Sequence, residues 1–212
     1  QTCALPICEE TTGILRFLGQ LSDAGRVFSM SRALGEGLQR AHQPLAGLGP
    51  AVSNILVRAS AYAVNSEVPE ATRVAAIQLL SFRTCAEVGN ALFGLFDLTQ
   101  PQPVQLAALA TLAKFTDPQV GIGLVRVWSV LTPRLRAEAL PVLLARPERA
   151  AELLRAIESG AIRASVLDTT QVKLLTTYRD PAIRQQAEKD LAAQPTNSRQ
   201  QIIEARSEEH TS

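Results

Sequence analysis

One stretch, Asp180-Pro181-Ala182-Ile183-Arg184-Gln185-Gln186-Ala187-Glu188-Lys189-Asp190-Leu191, constrains the fold of this chain more than any other. Asp180 can cap a helix whose first position is Pro181, and Ile183, Ala187 and Leu191 recur every fourth residue on one face. Reduced to Arg-x-x-Ala-x-x-x-Leu, the pattern of Arg184, Ala187 and Leu191 recurs upstream. Its copies are Arg73, Ala76 and Leu80, then Gln105, Ala108 and Leu112, then Arg136, Ala139 and Leu143. Successive offsets are 32 (73 to 105), 31 (105 to 136) and 48 (136 to 184) residues. This is the period of a helical hairpin, interrupted once by an insertion after Leu143. A hairpin cannot bury its apolar face alone, so the expected fold is all-α, a right-handed solenoid of stacked hairpins.

Taken in order, the chain offers a helix over 10–22 with Ile14, Leu15, Leu18 and Leu21. A second runs from Val27 to Ala41 on Met30, Ala33, Leu34 and Leu38, where Gly35 and Gly37 each weaken it by up to ~1 kcal/mol relative to Ala. A connector at 43–50 leads to a third helix with Val52, Ile55, Leu56 and Ala59. From Pro69 the pattern becomes regular, with Val74, Ile77 and Leu80 on one helix and Val88, Leu92, Leu95 and Phe96 on its partner. The next helix carries Leu106, Leu109 and Leu112, and the one after it Val120, Leu124, Val127 and Trp128. Prolines mark helix starts at Asp117-Pro118, Thr132-Pro133, Arg146-Pro147 and Asp180-Pro181, because proline lacks an amide hydrogen that a first turn leaves unpaired anyway. Pro141 breaks this rule: it lies inside the 134–145 pattern, where it should kink the helix at a cost of order 3 kcal/mol. A helix with Ala150, Leu153, Leu154 and Ile157 should end at Gly160, and a short one capped by Asp168 or Thr169 occupies the insertion. The last repeat helix should stop at Pro195, with a further start at Ser198.

Both ends are read apart from the fold. Residues 206–212 resemble the translation of a common sequencing adapter, residues 1–7 the same kind of adapter on the opposite strand, and the chain starts without methionine. The expected organisation is therefore a scar at 1–7, irregular amino-terminal helices at 8–66, repeats at 67–205 and a second scar at 206–212, in a fragment of a longer reading frame. The alternative is a native tail and a signal-peptide remnant. A 46% hydrophobic content with only 4% aromatic makes Ala and Leu the packing residues, which favours helices. Net charge is +1, or +2 without the two terminal stretches (20 basic minus 18 acidic), too balanced to imply nucleic acid or an anionic membrane as partner. No apolar run approaches the ~20 residues of a membrane span.

No constellation of residues implies catalysis, a metal or a bound cofactor. His42 follows a helix end without a second histidine beside it and reads as a surface residue. Cys3 and Cys8 lie in or next to the first scar, and Cys85, three and seven residues before Val88 and Leu92, reads as a buried apolar thiol. Trp128 reads as core or as a groove wall. Glu148, Glu152 and Glu158 are scattered along one helix, Glu152 with Arg155 as a solvent-facing i, i+3 pair. The equivalent Arg73, Arg136 and Arg184 would form a structural ladder, each donating to carbonyls or to an Asp of a neighbouring repeat, with Gln105 as a neutral donor in the same place; the alternative is a direct partner-binding role.

Asp-Pro-x-x-Arg-x-x-Ala-x-x-x-Leu at 180–191 resembles a HEAT repeat, of armadillo-like helical type. Across Pro103–Leu191 the strings Gln105-Leu106-Ala107-Ala108-Leu109, Leu131-Thr132-Pro133-x-x-Arg136, Arg146-Pro147-Glu148-Arg149-Ala150 and Ala156-Ile157-Glu158-Ser159-Gly160 occur in order. They resemble the helical region of the large heme-binding, membrane-bound-dehydrogenase-like proteins of planctomycetes. That resemblance implies a sugar-dehydrogenase-type β-propeller before this region, a c-type cytochrome domain with Cys-x-x-Cys-His after it, and a periplasmic or extracytoplasmic location. The heme c it implies belongs to the parent protein, outside these residues. The expected function is a non-catalytic spacer or scaffold whose partners are flanking domains of the same polypeptide. The alternative is a solenoid module whose groove takes a protein or peptide partner.

Overall fold

The computed structural model describes residues 6–192, with the side chains of 6–12, 46, 47 and 192 left aside. Residues 1–5 and 206–212 of the adapter-like stretches, the stop at Pro195 and the start at Ser198 lie outside the described residues. Every regular element among those described is helical. The α-helices are α1 (Pro6–Gln20), α2 (Ala24–Arg40), α3 (Pro50–Val64), α4 (Glu70–Leu79), α5 (Cys85–Gly94) and α6 (Gln102–Lys114). They continue as α7 (Gln119–Arg126), α8 (Pro133–Leu144), α9 (Pro147–Glu158), α10 (Thr169–Thr176) and α11 (Pro181–Ala192). Short 3-10 turns follow α4 at Leu80–Phe82 and α7 at Trp128–Val130.

Local chemistry sets these boundaries. Pro50, Pro133, Pro147 and Pro181 each open a helix, where the missing amide hydrogen costs nothing. The Thr132 hydroxyl accepts from the Leu135 amide at 3.3 Å, and the Asp180 carboxylate from the Ala182 amide at 2.8 Å. Asp168 and Gln171 close a reciprocal capping box at 2.7 and 3.1 Å, with Asp168 as the cap. Asp117 accepts from Gln119 at 2.8 Å, so Pro118 stands just before α7 and not at its first position. Asp23 caps α2 through the Arg26 amide at 3.1 Å and starts that helix earlier than its apolar pattern suggests.

Two helices end on a left-handed residue. Gly160, φ +76°, follows α9 as its sequence position predicts. His42, φ +58°, occupies the equivalent place after α2. The His42 amide donates to the Gln39 carbonyl at 3.0 Å, and the Gln43 amide to the Leu38 carbonyl at 2.8 Å, a Schellman closure in a position that glycine usually fills.

The chain divides into two compact units, residues 1–139 and 140–212. In the first, α4 packs against α2, α3 and α6, and α5 against α6 and α7. Its core includes Phe28, Ile77, Leu79, Leu80, Leu92, Leu112 and Leu124, each nearly inaccessible to solvent. Every such side chain contributes about 1.5–3 kcal/mol of burial. The Thr111 hydroxyl crosses from α6 to donate to the Ile77 carbonyl of α4 at 3.1 Å, so this buried polar group is satisfied. The stripe on α2 is rotated from expectation: Val27, Phe28, Ser31, Gly35 and Leu38 are buried, while Met30 and Ala33 face solvent. Gly35 explains the rotation, since a Cβ there would stand 2.5 Å from the Phe82 ring. The bare backbone admits the aromatic ring, and that contact sets which face of α2 turns inward.

In the second unit α11 packs against α9 and α10. Ala150, Leu153, Leu154 and Ile157 of α9 meet a core that includes Leu175, Ile183 and Ala187. Residues 161–179, read in the sequence as an insertion, contain α10, which pairs with α11 as α5 pairs with α6. Helix α8 contains the boundary between the units, and Pro141 lies within it without ending it. Pro141 is exposed, and so is Ala137, whose carbonyl loses its amide partner, so water can solvate that group and the helix continues.

Candidate functional site

The repeat positions Ala76, Leu80, Ala108, Leu112, Ala139, Leu143 and Ala187 are all buried, and Leu191 is half-buried. The polar position of each copy reaches back to the chain segment just before its own helix. The Arg73 Nε donates to the Ala63 carbonyl near the end of α3 at 3.2 Å, and its Nη2 to the Gln100 side chain at 2.6 Å. Gln105 donates to the Asp97 carbonyl at 2.8 Å. Arg136 donates to the carbonyls of Trp128 at 3.1 Å and Ser129 at 3.0 Å, with its guanidinium 5.9 Å from the indole centroid. Arg184 donates to the Tyr178 carbonyl at 3.4 Å. These carbonyls lie at or just beyond α-helix ends; those of Asp97 and Trp128 also accept the amides of Gln100 and Leu131 at 3.0 and 3.3 Å, and a carbonyl has a second lone pair for the side-chain donor. A planar donor with several N–H groups suits that task, and a carboxamide supplies one of its bonds without charge.

Pattern reading did not single out Arg149 as a buried donor. It is 1% exposed in α9 and lies 3.5 Å from the Val142 carbonyl. The available signal was its place on the same stripe as Leu153 and Ala156, where a charged residue is buried only if its donors are engaged. Gln100, which receives Arg73, carries no pattern of its own, because the two meet 27 residues apart.

Of the single residues weighed for chemistry, His42 is exposed and serves backbone geometry, while Cys85 and Trp128 are buried. Glu152 and Arg155 form the anticipated pair along α9. Perturbed ionisation follows local hydrogen bonding. The Thr84 amide, then the Arg83 guanidinium and the Thr84 hydroxyl, hold the Glu87 carboxyl down at about 2 at the start of α5. The Thr99 hydroxyl and amide lower Asp97, and the Lys189 ammonium, 2.9 Å away, lowers Glu158 and is itself raised. Burial first, then the charges of Glu148 and Asp180, raise Tyr178. The three carboxylates belong to a cap, a turn and a surface pair, whereas Tyr178 is shifted by its own burial against the second unit's core.

Two clefts differ in chemistry. One of about 220 Å³ lies between α5 and α7, with Ala86, Gly89 and Gly123 beneath it and Asn90, Gln119 and Arg126 among its lining. The other, about 610 Å³ and mainly apolar, is bounded by Leu144, Pro147, Leu174 and Tyr178 in the second unit. The Tyr178 hydroxyl donates to the Leu144 carbonyl at 3.2 Å and holds that wall in place. Among the described residues no group of three or more His, Cys, Asp or Glu side chains could hold a metal ion. Among them, too, no helix is long and apolar enough to cross a membrane. Compared with protein-family models, with curated proteins and with solved structures, the chain matches none.

Proposed function

We propose that these residues form a HEAT-type right-handed solenoid that acts as a non-catalytic spacer or scaffold within a longer protein. The observation that supports this best is a repeated separation. Polar contacts between helices, or between a helix end and the following segment, join Ile77 to Thr111, Gln102 to Arg134, Leu144 to Tyr178 and Glu158 to Lys189. Their separations are 34, 32, 34 and 31 residues, close to the 32 and 31 read from the motif. A constant separation between laterally bonded elements is what stacking of equal units requires. The 48-residue step to Arg184 is then one and a half periods, carrying the motif from one helix of the hairpin to the other without an extra segment. In agreement, α11 packs laterally on α9, as α4 does on α6.

By the family resemblance, this spacer separates a dehydrogenase-like propeller from a c-type cytochrome domain outside the cell's cytoplasm, and any heme sits in the cytochrome domain. Sequencing outward from the genomic locus tests the assignment, with a propeller upstream and Cys-x-x-Cys-His within about a hundred residues downstream as the expected result. Finding neither would overturn it, as would a stoichiometric Soret band on the purified chain after heme reconstitution. The second reading, a solenoid that binds a protein partner, is favoured by the apolar cleft at Tyr178, because open apolar concavities are where partners dock.

A further inference from the structure

The cleft between α5 and α7 has features that a spacer does not need. Ala86 is exposed on one wall, whereas Gly89 and Gly123 are buried: the Phe93 ring seats directly on Gly123, where any Cβ would collide with it, and the Cys85 Sγ would lie 3.2 Å from a Cβ at Gly89. Ile122, 41% exposed, lines the same cleft. Asn90, Gln119 and Arg126 also line it, and their side chains make no hydrogen bond or ion pair with any described residue. The one carboxylate in the lining, Asp117, accepts from the Gln119 amide at the start of α7, whereas Arg126 lies in its last turn. Eight helical residues separate these two ends by roughly 10 Å. The Arg126 end is therefore positive and unpaired.

We infer that this cleft binds an extended peptide segment carrying a carboxylate, with the carboxylate on Arg126. The carboxamides of Asn90 and Gln119 each offer a donor and an acceptor, the complement of a peptide group's carbonyl and amide. The distance from Gln119 to Arg126 matches about three extended residues at ~3.3 Å each. The small exposed side chain of Ala86 leaves room beside α5 for the segment, and the exposed Ile122 supplies an apolar contact for one of its side chains. Arg126 provides the fork that a carboxylate accepts in bidentate fashion. This assignment concerns the α5–α7 cleft alone and stands or falls independently of what flanks the chain.

The test is a titration of the full chain, followed by amide NMR, with N-acetyl-Ala-Leu-Glu-Ala-amide, its Gln counterpart and sodium acetate. Saturable shifts at Gly89, Asn90, Ile122 and Gly123 are expected with the Glu peptide, and about tenfold weaker binding of the Gln peptide. Arg126→Gln should bring the two peptides level, and Asn90→Ala should weaken both alike; both positions are exposed, so the fold should tolerate the changes. If a variant unfolds, the Glu-to-Gln ratio in the parent decides the matter alone. Equal affinity for both peptides, no saturation by millimolar Glu peptide, or shifts confined to other residues would overturn the assignment. Acetate binding as tightly as the Glu peptide would also overturn it, by showing an anion subsite with no part for the peptide.

Discussion

Replacing Arg73 by leucine tests whether the repeated polar position is structural. Arg73 is 3% exposed and makes two charge-assisted hydrogen bonds, to the Ala63 carbonyl and the Gln100 side chain. Such bonds are worth about 1.5–3 kcal/mol each, so roughly 3–6 kcal/mol of interaction is lost and a buried carbonyl is left unpaired. Leucine returns about 1.5–3 kcal/mol of apolar burial. The net loss should be about 2–3 kcal/mol, which lowers the melting temperature by roughly 5–10 °C for a unit of this size. Arg136 is only partly buried, so Arg136→Leu should cost less, about 1–2 kcal/mol. Urea and thermal denaturation followed by circular dichroism measure both variants. Arg73→Lys should remain destabilised, because an ammonium cannot span both acceptors as the guanidinium fork does. A melting temperature for Arg73→Leu within about 1 °C of the parent would refute the reasoning. Restored stability in Arg73→Lys would show that charge matters there and fork geometry does not.

Three further outcomes follow from the same structure. Two glycines of α2 should respond oppositely: Gly35→Ala drives a methyl into the Phe82 ring and should destabilise by about 1–2 kcal/mol despite better helix propensity. Gly37→Ala meets nothing within 4 Å and should stabilise by up to ~1 kcal/mol, so equal effects in a denaturation series would contradict the packing. His42→Gly should raise stability by about 1 kcal/mol, because glycine adopts the left-handed conformation without a Cβ penalty; a lowered melting temperature would show that the imidazole has another task. Glu87 is ordinarily 4.5 and held at about 2, so its contribution is complete above the ordinary value and fades as pH falls toward the folded one. The parent should accordingly exceed Glu87→Gln in urea midpoint near neutral pH, and the two should converge near about pH 2; a constant gap would exclude the linkage.

Helix positions were readable because their causes are local. A cap followed by proline marks a start wherever it occurs, as at Thr132-Pro133 and Asp180-Pro181, and Gly160 marks an end. The start of α2 was missed although its Asp23 cap is local, and in the other cases the deciding partner was far along the chain. The inward face of α2 depends on Phe82, 47 residues after Gly35, and Arg73 is engaged by Gln100, 27 residues on. Of the α5–α7 cleft, neither its outline nor its free donors could be read, because Asn90 and Arg126 share no motif and meet only when two helices pack side by side.

By itself, then, the sequence determined the helices and several of their starts and stops, and it carries a motif spacing near 32 residues, since capping, proline geometry and a 3.6-residue stripe act within one or two turns. Only the tertiary structure decided which face each helix buries, which carbonyls Arg73, Arg136 and Arg184 satisfy and that α10 packs against α11. Those outcomes depend on complementary shapes and unpaired polar groups brought together from distant positions, and no local pattern encodes them.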